Sequence, residues 1–511
     1  MTLTDAELGD AELLAQVRPS NWRNPAPKDR YHLVVLGAGT AGLVTAAIGA
    51  ALGAKVALVE KNRLGGDCLN SGCVPSKALL RSARAWKDAA RAEDFGISVP
   101  DHLRSCDFSV VMAGLRKLRA RLGVHDSAWR FRELGVDVFL GAGTFSGPET
   151  VQVGDASLRF ARAAICTGSR PAVPSIAGLE HAGFRTNDTV FDLVSLPPRV
   201  AVIGGGPIGC ELAQAFARFR SHVTLFEQTD RILSRDDAEA ASLVASRMRS
   251  DGVNLCLGVE LQRAERRGDE KLLHYRERLG GGGGGSLVVD EIIVGAGRVP
   301  NVEGLGLERV GVEFGPMSGV EVDHRLRTTN PRIFAAGDVC SRFKFTHVAD
   351  AHAQILVQNA LFPHPLGLGY ARADRLVVPW CTYTDPELAH VGLSPDEAER
   401  LGIPIETFTV PLAEVDRAIL DREEEGFGRI HVRRGTDRVV GATIVAAHAG
   451  ELISEFTLLM RSAKGLRTLA STIHPYPTQA ELARKLAIAW RKSTFTATKR
   501  RIVSVLLRML G

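Results

Sequence analysis

The chain has 511 residues, of which 45% are hydrophobic and 24% are charged, and its formal net charge at pH 7 is +5. This length exceeds the usual size of one hydrophobic core, so we expect about three to four domains, and the composition is that of a folded globular protein. The net charge is too small over this length to indicate a nucleic-acid partner. No stretch reaches the roughly 18 to 20 continuous apolar residues of a membrane span. The acidic segment 1–15 lacks the basic and apolar regions of a signal peptide, which predicts a cytoplasmic protein.

A first nucleotide-binding pattern follows residues 1–30, which are expected to form a peripheral extension with a short acidic helix. An apolar strand at 31–36 leads into a glycine-rich turn, an alanine-rich helix, a second strand at 55–59 and an acid. The turn and the acid consist of Gly37, Gly39, Thr40, Ala41, Gly42 and Glu60. Glycines there allow a pyrophosphate to approach the helix N-terminus, and the acid can bind ribose hydroxyls. Strand, turn, helix and acid together predict a dinucleotide site.

The same pattern recurs later in the chain. A strand at 200–203 precedes a second glycine turn, a helix at 211–219 and a strand at 223–226 that ends at Glu227. Two such units predict two bound dinucleotides, and a duplication that serves one cofactor is the alternative. A carboxylate at Glu227 would bind a ribose 2′-hydroxyl and repel a 2′-phosphate, which predicts a preference for NADH over NADPH.

Two cysteines, Cys68 and Cys73, lie five positions apart in the segment 65–77. In a regular helix that step rises about 7.5 Å, whereas a disulfide needs Cα atoms roughly 4.4 to 6.8 Å apart. The pair could therefore bond only at a distorted helix start, for which Gly72 and Pro75 provide the backbone freedom and the restart. Two unrelated buried thiols are the alternative. In a reducing cytosol a closely spaced pair is more often catalytic or metal-binding than structural.

The order of these motifs over about residues 31–490 resembles the flavin-dependent pyridine nucleotide-disulfide oxidoreductases, the family of glutathione reductase, dihydrolipoyl dehydrogenase and mercuric reductase. The resemblance implies FAD in the first site and NADH, or NADPH, in the second. It implies an α/β fold with two Rossmann-like domains and an α+β C-terminal dimerisation domain, hence a homodimer. The implied segments are an extension at 1–30, FAD-binding segments at 31–190 and 319–375, a nicotinamide-binding domain at 191–318, an interface domain at 376–495 and a tail at 496–511.

The resemblance also implies roles for single residues. Cys73 would be the thiol next to the flavin and Cys68 the exchange thiol that meets the acceptor, while Lys77 would lie near flavin N5 and pair with Glu211. Asp67 stands where the family usually has threonine, and its carboxylate is expected to raise the pKa of Cys68. The further cofactor contacts implied by the resemblance are those of Lys61, Gly66, Lys77, Gly143, Thr167, Gly168, Gly204, Gly206, Ile208, Gly209, Glu211, Glu227, Gly297, Arg298, Gly337 and Asp338.

The C-terminal segment 473–481 departs from most relatives. Disulfide reductases carry a His-Pro-Thr-x-x-Glu motif whose histidine protonates the exchange thiolate. Alignment on Glu481 places Tyr476, not His474, in the position of that histidine, as in mercuric reductases. The vicinal C-terminal cysteines of mercuric reductases are absent, because the last cysteine of this chain is Cys381. In the homodimer we expect Tyr476 to face the cysteine pair of the other subunit.

The predicted function is electron transfer from NAD(P)H through flavin and the Cys68–Cys73 disulfide to a small-molecule acceptor, either a thiol/disulfide or a metal ion, as in mercuric reductases. No resident metal site is expected. A flavin-dependent quinone or diaphorase-type reductase is the second hypothesis, and a thiol redox sensor is the third.

The tail after Glu481 contains no Asp or Glu but many Lys and Arg residues. On a helix, Ile502, Val505, Leu506 and Met509 fall on one face. Such a segment can contact an anionic membrane surface weakly, and a helix docked on its own dimer is the alternative. The six glycines at 280–285 are expected to form a hairpin loop between two strands.

Overall fold

The computed structural model of the chain describes residues 5–100, 106–278 and 283–510. These residues form two compact units, one made of residues up to 228 with 259–375 and the other of 229–258 with 376 onward. Helices and strands occur in both units, and the predicted α/β class is confirmed. The helices are α1 Asp5–Val17, α2 Thr40–Ala51, α3 Gly66–Asn70, α4 Cys73–Ala90, α5 Phe108–Gly123, α6 Ala128–Glu133, α7 Leu179–Ala182, α8 Asn187–Val190, α9 Pro207–Arg218, α10 Ala238–Ser250, α11 Thr346–Leu361, α12 Pro395–Arg400, α13 Asp416–Leu420, α14 Ala449–Arg461, α15 Leu466–Ser471, α16 Glu481–Ser493 and α17 Ala497–Met509.

The strands are named in the same way. They are β1 Tyr31–Leu36, β2 Val56–Glu60, β3 Asp137–Leu140, β4 Gly143–Gly147, β5 Thr150–Val153, β6 Ala156–Ile165, β7 Ser169–Pro171, β8 Arg199–Ile203, β9 His222–Glu227, β10 Val253–Leu257, β11 Val259–Arg267, β12 Glu270–Glu277, β13 Gly284–Val289, β14 Glu291–Val294, β15 Arg298–Pro300, β16 Phe314–Gly315, β17 Gly319–Val320, β18 Ile333–Ala335, β19 Pro379–Thr382, β20 Glu387–Gly392, β21 Ile405–Pro411, β22 Phe427–Arg433 and β23 Val439–Ala446.

The first unit is built on a seven-stranded sheet in the order β3-β2-β1-β6-β5-β4, with β18 paired to β6. Strands β1, β2, β3, β6 and β18 run parallel, and β5 and β4 continue the sheet antiparallel. The central strand β1 is apolar and buried on both faces, as expected for a parallel strand covered by helices. Because β18 returns from far along the chain, residues 333–338 come to lie beside the first nucleotide-binding pattern.

A second parallel set in the same unit consists of β9, β8 and β14. Strands β1 and β8 are each followed by a glycine turn, and the two turns have the same shape. A Cβ atom at Gly42 would lie 1.8 Å from the carbonyl oxygen of Gly37, and one at Gly209 would lie 1.9 Å from that of Gly204. The third glycine of each pattern is therefore required by close backbone packing, which is the role that the dinucleotide fingerprint gives it.

Strands β11, β12 and β13 form an antiparallel sheet, with Leu273 opposite Leu287. The glycine run expected to join two strands here lies partly outside the described residues, at 279–282.

The N-terminal extension packs against α5 of the first unit through its helix α1. Leu13 and Val17 of α1 are buried, one helical turn apart, and Leu13 faces Gly123 at the end of α5. Asp10 pairs with Arg119 of α5 at 2.5 Å. Two apolar residues at i and i+4 give the helix a face that must be covered, and α5 covers it.

The second unit has a five-stranded antiparallel sheet in the order β19-β20-β23-β22-β21. Its core combines the sheet with side chains from α14, α15 and α16, among them Phe456, Leu466, Leu486 and Trp490.

Candidate active site

The two motif cysteines lie on either side of a break between helices. Cys68 is inside α3, which ends at Asn70, and Cys73 is the first residue of α4, with Gly72 as its N-cap. Pro75 lies in the first turn of α4, where a proline ring is tolerated. The segment therefore contains the short helix α3 and the start of the long helix α4 instead of one continuous helix, and the two thiols are hydrogen-bonded across the break.

The two thiols differ in their readiness to ionise. A hydrogen bond from Cys68 lowers the pKa of Cys73 to about 6, with further lowering by the Thr346 hydroxyl and the Lys77 ammonium. The Cys73 sulfur lies 3.4 Å from Thr346 Oγ1, at the start of α11. The pKa of Cys68 is raised by the same hydrogen bond, by burial and by the charge on Cys73. In the dithiol form Cys73 therefore carries the negative charge and Cys68 keeps its proton.

Lys77 lies one turn after Cys73 and joins α4 to α9 of the second nucleotide-binding pattern. Its Nζ atom is 2.8 Å and 3.0 Å from the two carboxylate oxygens of Glu211. The Glu211 side chain is 5% exposed, whereas that of Lys77 is 35% exposed. The ammonium therefore neutralises a buried carboxylate and places a positive charge near Cys73.

The carboxylate of Asp67, next to Cys68 in the sequence, has three polar partners. Its Oδ2 atom lies 2.5 Å from Arg298 Nη2, and its Oδ1 atom accepts hydrogen bonds from Ser71 Oγ at 2.6 Å and Asn187 Nδ2 at 2.9 Å. A guanidinium and two donors satisfy this carboxylate, and the main causes of the raised pKa of Cys68 are its hydrogen bond to Cys73, burial and the charge on Cys73.

A different carboxylate, Asp126, contributes to the raised pKa of Cys68. Asp126 lies directly behind the cysteine loop, because a Cβ atom at Gly65 would be 3.1 Å from its Oδ2 atom. Burial raises the pKa of Asp126 itself. Sequence reasoning missed Asp126 and Thr346, since each lies far from the cysteines along the chain and in no motif of its own.

Arg298 connects three motifs of the first unit. Besides Asp67, its Nε atom donates to Ser169 Oγ at 2.7 Å and lies 3.7 Å from Asp338 Oδ2. Ser169 Oγ in turn donates to Asp338 at 2.6 Å. The residues at 65–77, 294–301 and 333–338 are thus joined by one chain of polar contacts, of which Ser169 was not predicted.

The first glycine turn is shaped to receive a dinucleotide. Helix α2 begins at Thr40, and a Cβ atom at Gly39 would meet only Gly66, at 3.7 Å. Glu60 accepts hydrogen bonds from the backbone N–H groups of Ala38 at 2.7 Å and Asn62 at 2.6 Å, and its burial raises its pKa. The open helix N-terminus and the fixed acid fit the diphosphate and ribose of FAD.

The second turn has the same arrangement. Helix α9 begins at Pro207, followed by Ile208, and a Cβ atom at Gly206 would meet nothing within 4 Å. Glu227 accepts a hydrogen bond from the backbone N–H of Gly205 at 2.6 Å. These residues fit the nicotinamide dinucleotide in the same way.

The other predicted cofactor residues lie along these turns. Thr167 and Asn301 exchange two hydrogen bonds of 2.7 Å and 2.9 Å, which ties the turn with Gly168 to the turn that contains Gly297. Gly337 packs against α2, because its Cβ atom would lie 3.2 Å from that of Ala41.

Two further residues predicted to bind FAD have roles in packing. A Cβ atom at Gly143 would lie 2.5 Å from Leu36 Cδ2, so packing of the sheet requires this glycine. The carbonyl oxygen of Lys61 accepts a hydrogen bond from Arg18 of the extension at 2.6 Å.

The predicted C-terminal residues belong to the second unit. Tyr476 is 71% exposed, and its hydroxyl donates to Asp416 at 2.8 Å, a bond that raises the pKa of the phenol. Glu481 is the first residue of α16 and lies 3.7 Å from Lys485. In the ring of His474, Nδ1 lies 3.2 Å from the carbonyl oxygen of Thr472 and Nε2 lies 3.0 Å from Glu455 Oε1.

Comparisons with known proteins match the chain in two consecutive parts. Residues 31–353 match the pyridine nucleotide-disulphide oxidoreductase family, and residues 378–487 match the dimerisation domain of that family. A mercuric reductase from Streptomyces lividans is 36% identical over 474 residues, which are 91% of this chain and 96% of the relative. A dihydrolipoyl dehydrogenase from Geobacillus stearothermophilus is 32% identical and covers 89% of this chain and 95% of its own length.

A solved structure gives the same assignment. The Cu(II) complex of the HOCl-induced flavoprotein disulfide reductase RclA from Escherichia coli superimposes with a TM-score of 0.79 and 26% identity, over 90% of this chain and 99% of that one. The predicted fold class and the predicted cofactors, FAD and NAD(P)H, are thereby confirmed. By these matches the chain belongs to the pyridine nucleotide-disulphide oxidoreductases, flavoprotein oxidoreductases with a redox-active disulfide.

Proposed function

We propose that the reduced Cys68–Cys73 pair passes electrons from NAD(P)H to a thiophilic metal cation such as Hg(II) or Cu(II). The Cys73 thiolate and the Cys68 thiol together lose one proton and two electrons as their S–S bond forms, and the electrons convert Hg(II) to Hg(0) or two Cu(II) ions to two Cu(I) ions. The mercuric reductase relatives and the Cu(II) complex of RclA support this class of acceptor.

The proposal rests mainly on the two contacts made by the imidazole ring of His474. Reduction of a disulfide to two thiols consumes two protons, which disulfide reductases supply through the histidine of their C-terminal motif. Both ring nitrogens of His474 face acceptor oxygens of the same chain, on Thr472 and Glu455, so the ring has no free nitrogen for a substrate thiol. Tyr476, at the position of that histidine, is a phenol of raised pKa. Reduction of a metal cation requires no proton, and this arrangement suits it.

The side chains around the cysteines have different roles in the proposed reaction. FAD, when bound, supplies the two-electron relay between the nicotinamide and the disulfide. Cys73, with its lowered pKa, is the thiolate of the reduced pair, and Lys77 stabilises that charge. Cys68 keeps its proton until it binds the metal, and metal binding displaces that proton because a thiolate is the ligand.

The assembly implied by this proposal is a homodimer. Residues 378–487 match a dimerisation domain, which points to a homodimer. We propose that Tyr476 and Glu481 of each subunit complete the site formed around the cysteines of the other, so that a monomer would lack half of its acceptor site.

Acceptor-dependent oxidation of NADH tests this function. The FAD-loaded protein is assayed with Hg(II) and Cu(II) in the presence of external thiol, and with lipoamide, glutathione disulfide and a quinone. Turnover with a metal at least tenfold faster than with either disulfide is expected, and it should be lost in Cys68→Ser. The half-exposed Cys256 lies in β10 of the second unit, so Cys256→Ser is the matched control. Faster turnover with a disulfide contradicts the metal acceptor, and quinone turnover that survives Cys68→Ser identifies a quinone reductase.

A further inference from the structure

The C-terminal helix α17 exposes its apolar side chains. It spans Ala497–Met509, begins with Thr496 as an N-cap, and contains no buried residue. Its apolar side chains and the adjacent Leu510 are between 39% and 84% exposed; they are Ile502, Val503, Val505, Leu506, Leu507, Met509 and Leu510. The preceding helix α16, in contrast, buries Leu486 and Trp490 in the core of the second unit. An apolar surface of this extent on a single helix indicates a binding surface.

Apart from Lys499, the basic residues of α17 lie on the opposite side of the helix from its large apolar residues. At about 100° per residue, the apolar side chains occupy one continuous arc of about 200°. Arg500, Ser504, Arg508 and Arg501 occupy the opposite arc of about 100°. Lys499 falls within the apolar arc at the helix start, where its ammonium donates to the carbonyl oxygen of Thr494 at 2.9 Å. A long basic side chain at that position can extend to the polar boundary.

The charge of this region has a single sign. The sequence after Glu481 contains no acidic residue, whereas Arg491, Lys492, Lys499, Arg500, Arg501 and Arg508 are all basic. A partner surface for α17 must therefore be apolar and anionic at once. The interface of a bilayer that contains anionic lipids has this chemistry.

A second copy of this chain fits the surface less well. Two α17 helices paired about a twofold axis would bury their apolar arcs, but they would also bring their arginines together with no acidic residue in the tail to neutralise them. The helix also lies beyond residues 378–487, which match the dimerisation domain. Its 13 residues extend about 20 Å, less than the roughly 30 Å core of a bilayer. Within the described ranges, no helix is long and apolar enough to cross a membrane.

We propose that α17 binds an anionic lipid surface and lies in its plane, with the apolar arc at the acyl boundary and the arginines among the headgroups. Attraction of each basic residue to such a surface contributes roughly a fivefold factor in affinity, and the contribution falls with salt. The inference does not depend on which acceptor the cysteine pair reduces, because α17 contains no proposed catalytic residue.

Flotation of the FAD-loaded full-length protein with vesicles tests this proposal. Vesicles of phosphatidylcholine with about a third phosphatidylglycerol are compared with phosphatidylcholine alone, at low and high salt. The protein should float with the anionic vesicles only, and at low salt more than at high salt. Double substitution Ile502→Glu and Leu506→Glu should reduce the bound fraction at least tenfold, and Arg500→Gln with Arg501→Gln should reduce it to a similar degree. NADH oxidation should remain unchanged in both variants.

Two controls make the result specific to α17. Met317, an exposed apolar residue of the first unit, is changed to glutamate, and Met317→Glu should float like the parent protein. Equal binding to both kinds of vesicle, or binding that survives both double substitutions, overturns the proposal. A smaller oligomer in the Ile502→Glu, Leu506→Glu variant without loss of vesicle binding would show that a second copy covers the helix, which also overturns it.

Discussion

Asp67 Oδ2 and Arg298 Nη2 lie 2.5 Å apart and join the cysteine loop to the turn that closes the second nucleotide-binding pattern. The Arg298 side chain is 12% exposed and that of Asp67 34%, so water screens this pair only in part. Arg298 also lies 3.7 Å from Asp338 on the returning FAD segment. One guanidinium therefore stands between two carboxylates from distant parts of the chain, and it fixes the loop that carries Cys68.

Replacing Asp67 by threonine, the residue usual in the family, should weaken this junction. The Asp67→Thr substitution would leave the Arg298 guanidinium with one carboxylate fewer in a largely buried place, at a cost of about 1 to 3 kcal/mol in the free energy of unfolding. Chemical unfolding of the FAD-loaded protein, followed by flavin fluorescence, measures the change. In an Arg298→Met background the same substitution should cost less, and an equal cost in both backgrounds would show that the ion pair does not hold the loop.

The charge of the cysteine pair should depend on pH in a defined way. The pKa of Cys73 is lowered to about 6, so its thiolate forms as the pH rises through that value. Alkylation of Cys73 in the reduced protein, followed by peptide mass spectrometry, should therefore accelerate up to about pH 6 and then level off, whereas an ordinary thiol accelerates up to about pH 8.5. Cys68→Ala removes the hydrogen bond that lowers this pKa and should shift the midpoint upward. Cys68→Ser retains a donor and should shift it less, and identical midpoints in the two variants would contradict the assigned cause.

The sequence predicted the features that are local in the chain. Each nucleotide-binding pattern lies within about thirty consecutive residues, so its strand, turn, helix and acid can be recognised together. The pairing of Lys77 with Glu211 was predicted only through the family resemblance, since nothing near either residue indicates it. The contact of Asp126 with the cysteine loop could not be predicted, because nothing in the sequence around Asp126 indicates which segment packs on its side chain.

The partners of Asp67 could not be predicted for the same reason. Its position beside Cys68 suggested an effect on the neighbouring thiol, but the carboxylate turns to Arg298, a residue that the sequence places in another motif. In the N-terminal helix, the spacing of Leu13 and Val17 is a signal that could have predicted a covered face, but it was not used.

Removal of Lys77 should destabilise the first unit. Lys77→Met leaves the Glu211 carboxylate, 5% exposed, without the ammonium 2.8 Å away, and loss of this partly exposed partner should cost about 1 to 3 kcal/mol in the free energy of unfolding. The double variant Lys77→Met with Glu211→Gln also removes the buried negative charge and should recover part of the stability in a double-mutant cycle. Additive losses in that cycle would mean that the two side chains do not stabilise each other.

The coenzyme preference should follow the charge of Glu227. Its carboxylate is held at the end of β9 by the backbone N–H of Gly205 at 2.6 Å, where a 2′-phosphate would meet a negative charge. We expect a kcat/KM at least tenfold higher with NADH than with NADPH. Glu227→Gln keeps an acceptor oxygen for the backbone N–H of Gly205 but removes the charge. It should therefore raise kcat/KM with NADPH and reduce the preference for NADH. A tenfold preference for NADPH in the unsubstituted protein would overturn this prediction.

Mixed dimers can locate the proposed role of Tyr476. Tyr476→Phe should slow acceptor reduction much more than flavin reduction by NADH, while His474→Ala should have the milder effect. The reverse order would show that the alignment of this segment is shifted by two residues.

Subunits of Cys73→Ser and Tyr476→Phe are then exchanged by unfolding and refolding with FAD. If each site takes its cysteines from one subunit and its tyrosine from the other, a mixed dimer has one intact site. Random exchange makes about half of the dimers mixed, so activity should recover to about a quarter of that of the unsubstituted protein. If the tyrosine serves the cysteines of its own chain, every site in the mixture carries a substitution and activity does not recover.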